Sequence, residues 1–172
     1  MKAIIETERL RLRAWTEADL DVFYLLGTDP DAIRYAQREP YASRAHALEV
    51  LHAAPLRDYA EHGFGRFACE WKASGEVIGF SGLKYLPEFN EVELGYRFLP
   101  AWWGKGLATE AGQAGIAFAR DTLELRRIIS VILPENTASA NVVRKLGLSF
   151  ERSELYAPLD NARVDIWARS LV

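Results

Sequence analysis

A single cysteine, Cys69, stands in 172 residues. It excludes an internal disulfide and a Cys-based zinc site, and it points to a reducing, cytoplasmic home. Glycine and proline number only 12 and 7, too few for a collagen-like or linker-like chain. No window approaches the roughly 18 uninterrupted apolar residues of a membrane span, and the opening MKAIIETERLRLR turns charged too early for a secretory signal. An excess of basic residues is missing as well: 21 Lys and Arg stand against 24 Asp and Glu, with a pI near 5.7. Such a chain is not built to coat nucleic acid. His46, His52 and His62 lack the i, i+4 spacing of a helical metal pair and no carboxylate cluster accompanies them, so no metal is expected. What is present is an ordinary globular balance, 49% hydrophobic and 26% charged, which excludes wholesale disorder. The length suits one domain with one core.

Periodicity divides the chain. Leu10 and Leu12 alternate with Arg9, Arg11 and Arg13, as in a half-buried strand. Thr16 with Asp19 resembles a capping box before the apolar helical face Leu20, Phe23, Tyr24 and Leu26, which Gly27 closes. Asp29-Pro30-Asp31 is a turn or a short helix. Ser43 caps a second helix, kinked near Pro55 and ended by Gly63. GRFACEW (Gly65–Trp71), EVIGFSGLKYL (Glu76–Leu86) and EVELGYRFL (Glu91–Leu99) read as a meander. A helix from Gly106 to about Leu123, the apolar run Ile128–Leu133, a short helix Thr137–Leu146 and strands through Ser149–Tyr156 and Arg163–Leu171 complete the order β-α-α-β-β-β-α-β-α-β-β. That order predicts an α/β fold, a mixed sheet of about seven strands with about four helices on both faces.

The strongest local signal is WWGKGLATEA, Trp102 to Ala111, between a strand and a helix. Gly104 and Gly106 permit a sharp turn and a close approach of backbone N–H groups. The helix start adds unpaired amides and a positive dipole end, an arrangement suited to phosphate. Taken alone, it equally describes a glycine turn that lets a helix pack on a sheet. Three neighbours narrow it: VELGYRFL runs straight into the loop, a strand and helix follow, and that second helix opens ENTAS (Glu135–Ser139) and ends KLGLSF (Lys145–Phe150).

With these motifs the chain resembles the GNAT superfamily of acetyl-CoA-dependent N-acetyltransferases, most closely the ribosomal-protein-alanine N-acetyltransferase branch. ETERLRLRAWTEADL and the DP turn extend the likeness over nearly all of residues 1–172, as one acetyltransferase domain. The resemblance implies a splayed sheet and a CoA loop of pattern Arg/Gln-x-x-Gly-x-Gly/Ala, matched by Trp103-Gly104-Lys105-Gly106-Leu107-Ala108. Trp103 departs from its first place, though an aromatic there is usual in this branch. The resemblance places pyrophosphate on the amides around Gly104, Gly106, Ala108 and Thr109, with Thr109 and Lys105 adding a hydroxyl and a charge. It lays pantetheine along Tyr96, Arg97, Phe98 and Leu99 in the manner of an added strand. Asn136 matches an asparagine that bonds the pantetheine region, and Ser139 a serine near the sulfur. Both residue types also suit a helix start.

The implied reaction is attack of a neutral amine on the thioester of acetyl-CoA, and it needs a proton acceptor and a donor for the leaving sulfur. Glu93 shares a strand face with Glu91 and sits where many GNAT members keep a glutamate near the amine. The alternatives are water as the base, with Glu93 a solvated carboxylate or paired with an arginine such as Arg97. For the donor, Ser139 and Tyr156 compete, Tyr156 being equally suited to lining the acceptor cleft. Cys69 alternates with Phe67 and Trp71 and reads as core. Arg126-Arg127 suits a solvated edge or the CoA 3′-phosphate, and Arg144 and Lys145 suit a helix C-terminus.

The expected activity is direct acetyl transfer to a primary amine, either a protein N-terminus or a small amine such as an aminoglycoside, polyamine or amino-acid-derived compound. A noncatalytic acyl-CoA-binding module is the alternative from another class. An α-amine titrating near 8 is roughly one-tenth neutral at pH 7, whereas a lysine near 10.4 is neutral roughly 0.04% of the time. A single glutamate as base therefore favours the α-amine. A homodimer agrees with the resemblance, which offers no nucleic-acid or membrane partner.

Overall fold

The Leu10–Arg13 alternation forms a strand with both leucines wholly buried, and the sheet grows outward from it. The computed structural model describes residues 5–172. Eight strands run β1 (Ile5–Glu6), β2 (Leu10–Arg13), β3 (Arg66–Trp71), β4 (Glu76–Leu86), β5 (Glu91–Phe98), β6 (Arg127–Ile132), β7 (Ser149–Tyr156) and β8 (Ala162–Ser170). They lie in the order β1-β2-β3-β4-β5-β6-β8-β7. Neighbours are antiparallel except β5 and β6, which are parallel. The strand beyond the expected seven is β1, whose two residues are too few to carry a period.

The helices are α1 (Leu20–Leu26), α2 (Pro30–Ile33), α3 (Arg44–Leu51), α4 (Arg57–His62), α5 (Leu107–Asp121) and α6 (Thr137–Lys145). Local chemistry sets their ends. Thr16 and Asp19 form a capping box before α1, Asp29 caps α2 with Pro30 at its first position, and Ser43 caps α3 through the His46 amide. Pro55 lies in a π-helical turn, His52–Leu56, that separates α3 from α4. A proline that cannot donate to the preceding turn accounts for that break. The count of helices exceeds the expected four because the DP turn is helical and the kinked segment is two helices.

Trp15, Phe23, Leu26 and Leu51 fill the space between the N-terminal helices and one sheet face, meeting Ala68 and Val77. On the opposite face α5 and α6 bury Ile116 and Val143 against Leu94 and Ile128. Each fully buried side chain of this size contributes about 1.5–3 kcal/mol, enough to fix which face of each strand turns inward.

That alternation governs β5. Leu94, Tyr96 and Phe98 point to the α5 side, so Glu93, Gly95 and Arg97 point under the N-terminal helices. β5 pairs with β4 along its whole length, from Glu91 opposite Leu86 to Phe98 opposite Gly79. Its pairing with β6 is confined to Glu93 opposite Ile129. Beyond that rung the Ser130 hydroxyl donates to the Leu94 carbonyl at 2.8 Å, and the two strands then part.

Candidate active site

The loop after β5 begins with a 3₁₀ turn, Pro100–Trp102. Trp103 is half exposed, and its indole Nε1 donates to the Phe98 carbonyl at 2.8 Å. The side chain thus ties the loop back to the strand end. Gly104 and Gly106 hold φ of 73° and 76°, the left-handed region that other L residues enter at a cost. A side chain at Gly104 would meet nothing within 4 Å, and one at Gly106 would meet only Arg9 Nη2 at 3.7 Å. The loop's outer side is open. The first intrahelical bond of α5 runs from the Glu110 amide to the Gly106 carbonyl, so the preceding amides of Leu107, Ala108 and Thr109 have no partner inside the helix. Lys105 is exposed.

Glu110 fastens this helix start to the β1–β2 turn. Its Oε1 accepts from Thr7 Oγ1 at 2.6 Å and from the Arg9 amide at 2.8 Å, and Oε2 accepts from Arg9 Nε at 2.7 Å. Partial burial pushes this carboxyl up, but these donors outweigh it and hold it below the ordinary range. A cleft of about 650 Å³ opens beside the loop, lined by Gly106, Thr109, Gln113 and Lys145 among others. Unpaired amides, an open glycine turn and an adjoining cleft fit an acyl-CoA diphosphate.

The parted strands supply the next section of the site. The Leu94 carbonyl faces β6, so the amides and carbonyls of Tyr96 and Phe98 face the same way by ladder alternation. Those of Arg97 and Leu99 turn toward β4, as the Leu99 amide's 3.0 Å bond to the Ile78 carbonyl shows. Of the four residues expected along pantetheine, Tyr96 and Phe98 therefore present backbone to the opening. The Phe98 carbonyl is already shared with Trp103.

Ser139 and Asn136 meet at the start of α6. Asn136 is the N-cap, its Oδ1 accepting from the Ser139 amide at 3.2 Å. Asn136→Ala should cost about 1 kcal/mol and, if the cap positions Ser139, also lower turnover. Thermal melts and rates on one preparation check both, and an unchanged melting temperature would deny the cap its role. The Ser139 hydroxyl lies 2.8 Å from the Tyr96 hydroxyl. Burial pushes the Tyr96 phenol up to about 12, only partly relieved by Ser139. This hydroxyl pair was not evident from the sequence, where Tyr96 counted only as backbone. Its place in period two with Leu94 and Phe98 was the available signal, a phenol on an otherwise apolar inward face.

Glu93 is 6% exposed. Its Oε1 accepts from Arg66 Nη2, and among the described residues nothing donates to Oε2. Burial pushes the carboxyl up against the pull of Arg66. The partner is Arg66, not Arg97, and the group is enclosed, not solvated. Arg66 reaches across β4 because Gly82 and Gly95 intervene. At Gly95 a Cβ would stand 2.8 Å from both Arg66 Nη2 and Glu93 Oε1.

Tyr156 stands on a separate wall, within electrostatic reach of Glu93. It stacks on Phe89 with centroids 5.5 Å apart and packs with Leu86, Ile129 and Leu159. Burial, then the charges of Glu93 and Glu88, push its phenol up. Cys69 is fully buried and its thiol is pushed up by desolvation, which suits core and not nucleophile. Arg127 is committed to Glu91 and Glu151, at 2.8 and 2.7 Å. His52 pairs with Glu17 at 2.6 Å, His46 packs on Tyr41 and His62 on Tyr85.

Residues 9–149 match the model of the acetyltransferase (GNAT) domain. The chain belongs to the GNAT family. This acetyltransferase is 32% identical over 171 residues to the uncharacterized N-acetyltransferase p20 of Bacillus licheniformis, covering 96% of this chain and 94% of that one. It is 30% identical to the spermidine N(1)-acetyltransferase of Escherichia coli, over 83% of this chain and 74% of that one. The ribosomal protein uS5-alanine N-acetyltransferase of Escherichia coli is 32% identical over 51% of this chain and 45% of its own. Among solved structures, a GNAT acetyltransferase from Bacillus anthracis superposes with a TM-score of 0.82 at 25% identity, covering 98% and 99% of the two chains. A Vibrio cholerae spermidine N-acetyltransferase, solved with CoA and spermine, shares the fold with a TM-score of 0.77 at 22% identity, over 95% and 96%. The protein is thus an acyl-CoA-dependent N-acetyltransferase, not a noncatalytic acyl-CoA module.

Proposed function

We propose that this N-acetyltransferase moves the acetyl group of bound acetyl-CoA directly to a neutral primary α-amine, as at a protein N-terminus. The observation that carries the reading is the convergence on β5, at the rung where β6 departs, of a buried carboxylate on one face and a paired hydroxyl on the other. In this reading pyrophosphate rests on the amides around Gly104, Gly106, Ala108 and Thr109. Pantetheine lies along Tyr96 and Phe98, which brings the thioester toward the Glu93–Tyr96 stretch.

Glu93 then accepts the amine's proton through Oε2, directly or through one water, while Arg66 keeps Oε1 occupied and the carboxylate in place. Burial favours this role, because a carboxyl raised toward neutrality is a better base than a solvated one. As the carbon–sulfur bond breaks, negative charge develops on sulfur, and the Tyr96–Ser139 pair offers it a hydrogen bond. With Tyr96 pushed up to about 12 and a thiol near 8.5, full proton transfer from the phenol would run about 5 kcal/mol uphill. Tyr96 accordingly stabilises the thiolate as a donor that stays protonated at working pH. Tyr156, in a separate aromatic cluster, is left to the acceptor side.

Glu93→Gln tests the base. Because burial sets the Glu93 pKa above 4.5, kcat should rise with pH through an acid limb placed above the ordinary carboxylate range. The substitution should remove that limb and lower kcat by about 10²- to 10⁴-fold, while Gln still accepts from Arg66. A pH profile of kcat at saturating substrates reads both, and a loss below about tenfold with the limb intact would assign the proton to water.

A further inference from the structure

Under the N-terminal helices lies a cavity of about 350 Å³, walled in part by Tyr41, Asp58, Arg66, Phe80, Lys84 and Arg97. Among the described residues its inward-facing charges pair off with one left over. Lys84 Nζ meets Asp58 Oδ2 at 3.1 Å, and Arg66 meets Glu93. Among the described residues Arg97 has no carboxylate partner: its Nη1 donates to the Leu26 carbonyl and to Gln37 Oε1, both at 3.0 Å. Glu39 also lines the cavity, but on exposed chain at its rim, and no ion pair joins it to Arg97 among the described residues.

Both arginines keep unused donors. The Nε–H groups of Arg97 and Arg66 donate to no described residue but are sealed from solvent, so an occupant of the cavity would meet the outer nitrogens, where Arg97 Nη2 and Arg66 Nη1 also have no described partner. Their guanidinium groups stand over the same Phe80 ring, 5.3 and 5.7 Å from its centroid. Burial, with the charge of Arg66 adding to it, draws Arg97 down to about 10, which still leaves it cationic at neutral pH. A guanidinium held largely out of water without a counter-charge is a costly arrangement, and an anion from outside relieves it.

We infer that the amine acceptor of this enzyme also carries a carboxylate, and that Arg97, assisted by Arg66, holds it inside this cavity. The inference rests on the transfer reading above and narrows its α-amine from a protein N-terminus to a small acceptor whose carboxylate fits the same cavity. Glu93 and Arg97 are four residues apart on one face of β5, so amine and carboxylate belong to opposite ends of the acceptor. A polyamine, with ammonium groups and no anion, would set like charges beside two arginines.

The probes are tetra-alanine, whose extended chain reaches about 13 Å, its C-terminal carboxamide and spermidine, each assayed for CoA release from acetyl-CoA. The two peptides keep the same α-amine and differ by one negative charge. The free acid should show a kcat/KM at least about tenfold higher than the amide, carried mainly by KM. Arg97→Gln should bring that ratio close to one, and Arg97→Lys should keep part of it. If Arg97→Gln fails to fold, the wild-type ratio decides alone. An amide or spermidine used as well as the free acid overturns the inference and leaves acetyl transfer standing. No CoA release with any probe counts against the transfer reading instead. Calorimetric titration of the two peptides then still tests the carboxylate, with equal affinities overturning it.

Discussion

Gly106→Glu should yield a folded protein whose affinity for acetyl-CoA falls by at least about 10²-fold. Gly106 sits at φ 76° as the N-cap of α5, and space beyond its α-carbon is open apart from Arg9 Nη2 at 3.7 Å. The fold therefore accepts a side chain there for a backbone strain of about 1–2 kcal/mol. The ligand does not, since a carboxylate would occupy the approach of a diphosphate to the helix amides and repel it. Gly106→Ala separates the two effects, because it carries the same strain without the charge or most of the bulk. Calorimetry with CoA and a thermal melt on each variant give the comparison. Retained affinity in folded Gly106→Glu would move the diphosphate site away from this loop.

The second large effect is expected at Tyr96. Tyr96→Phe should lower kcat by about 10²-fold with little change in the KM for acetyl-CoA, as for a donor that matters when charge appears on sulfur. Ser139→Ala should cost less, about tenfold, since Tyr96 keeps its own hydroxyl. The double variant should cost less than the product of the two, because the partners share one 2.8 Å bond. Stability provides the control, as losing a buried hydrogen bond typically costs about 1 kcal/mol. A Tyr96→Phe enzyme with a lower melting temperature and wild-type turnover would reduce the pair to a structural clip between β5 and α6.

Local patterns carried much of this fold into view. The caps at Thr16, Ser43 and Gly63, the kink at Pro55 and the glycine turn at Gly104 and Gly106 depend on residues close together in sequence, where spacing and conformation coincide. The GNAT resemblance then supplied the sheet's splay. The two pairings that organise the site are different in kind. Arg66 meets Glu93 across an intervening strand, 27 residues along the chain, and Tyr96 meets Ser139 across 43. Register decides such encounters, and one slipped residue on β3 would have turned Arg66 to the opposite face. Arg97 was the nearer candidate for Glu93 in sequence. Four residues along an extended strand span roughly 13 Å, too far for the i, i+4 logic of a helix.

The parting of β5 from β6 has a thermodynamic side. A sheet that opens partway leaves peptide groups of an interior strand without a ladder, held together past the Glu93–Ile129 rung by the Ser130 hydroxyl. An extended ligand that bonds to those groups acts as a removable piece of the sheet. Its binding energy then adds directly to the free energy of unfolding, by about 2.7 kcal/mol at a hundredfold excess over Kd. The resistance of this enzyme to heat and proteolysis would thereby become a reading of how much acyl-CoA surrounds it.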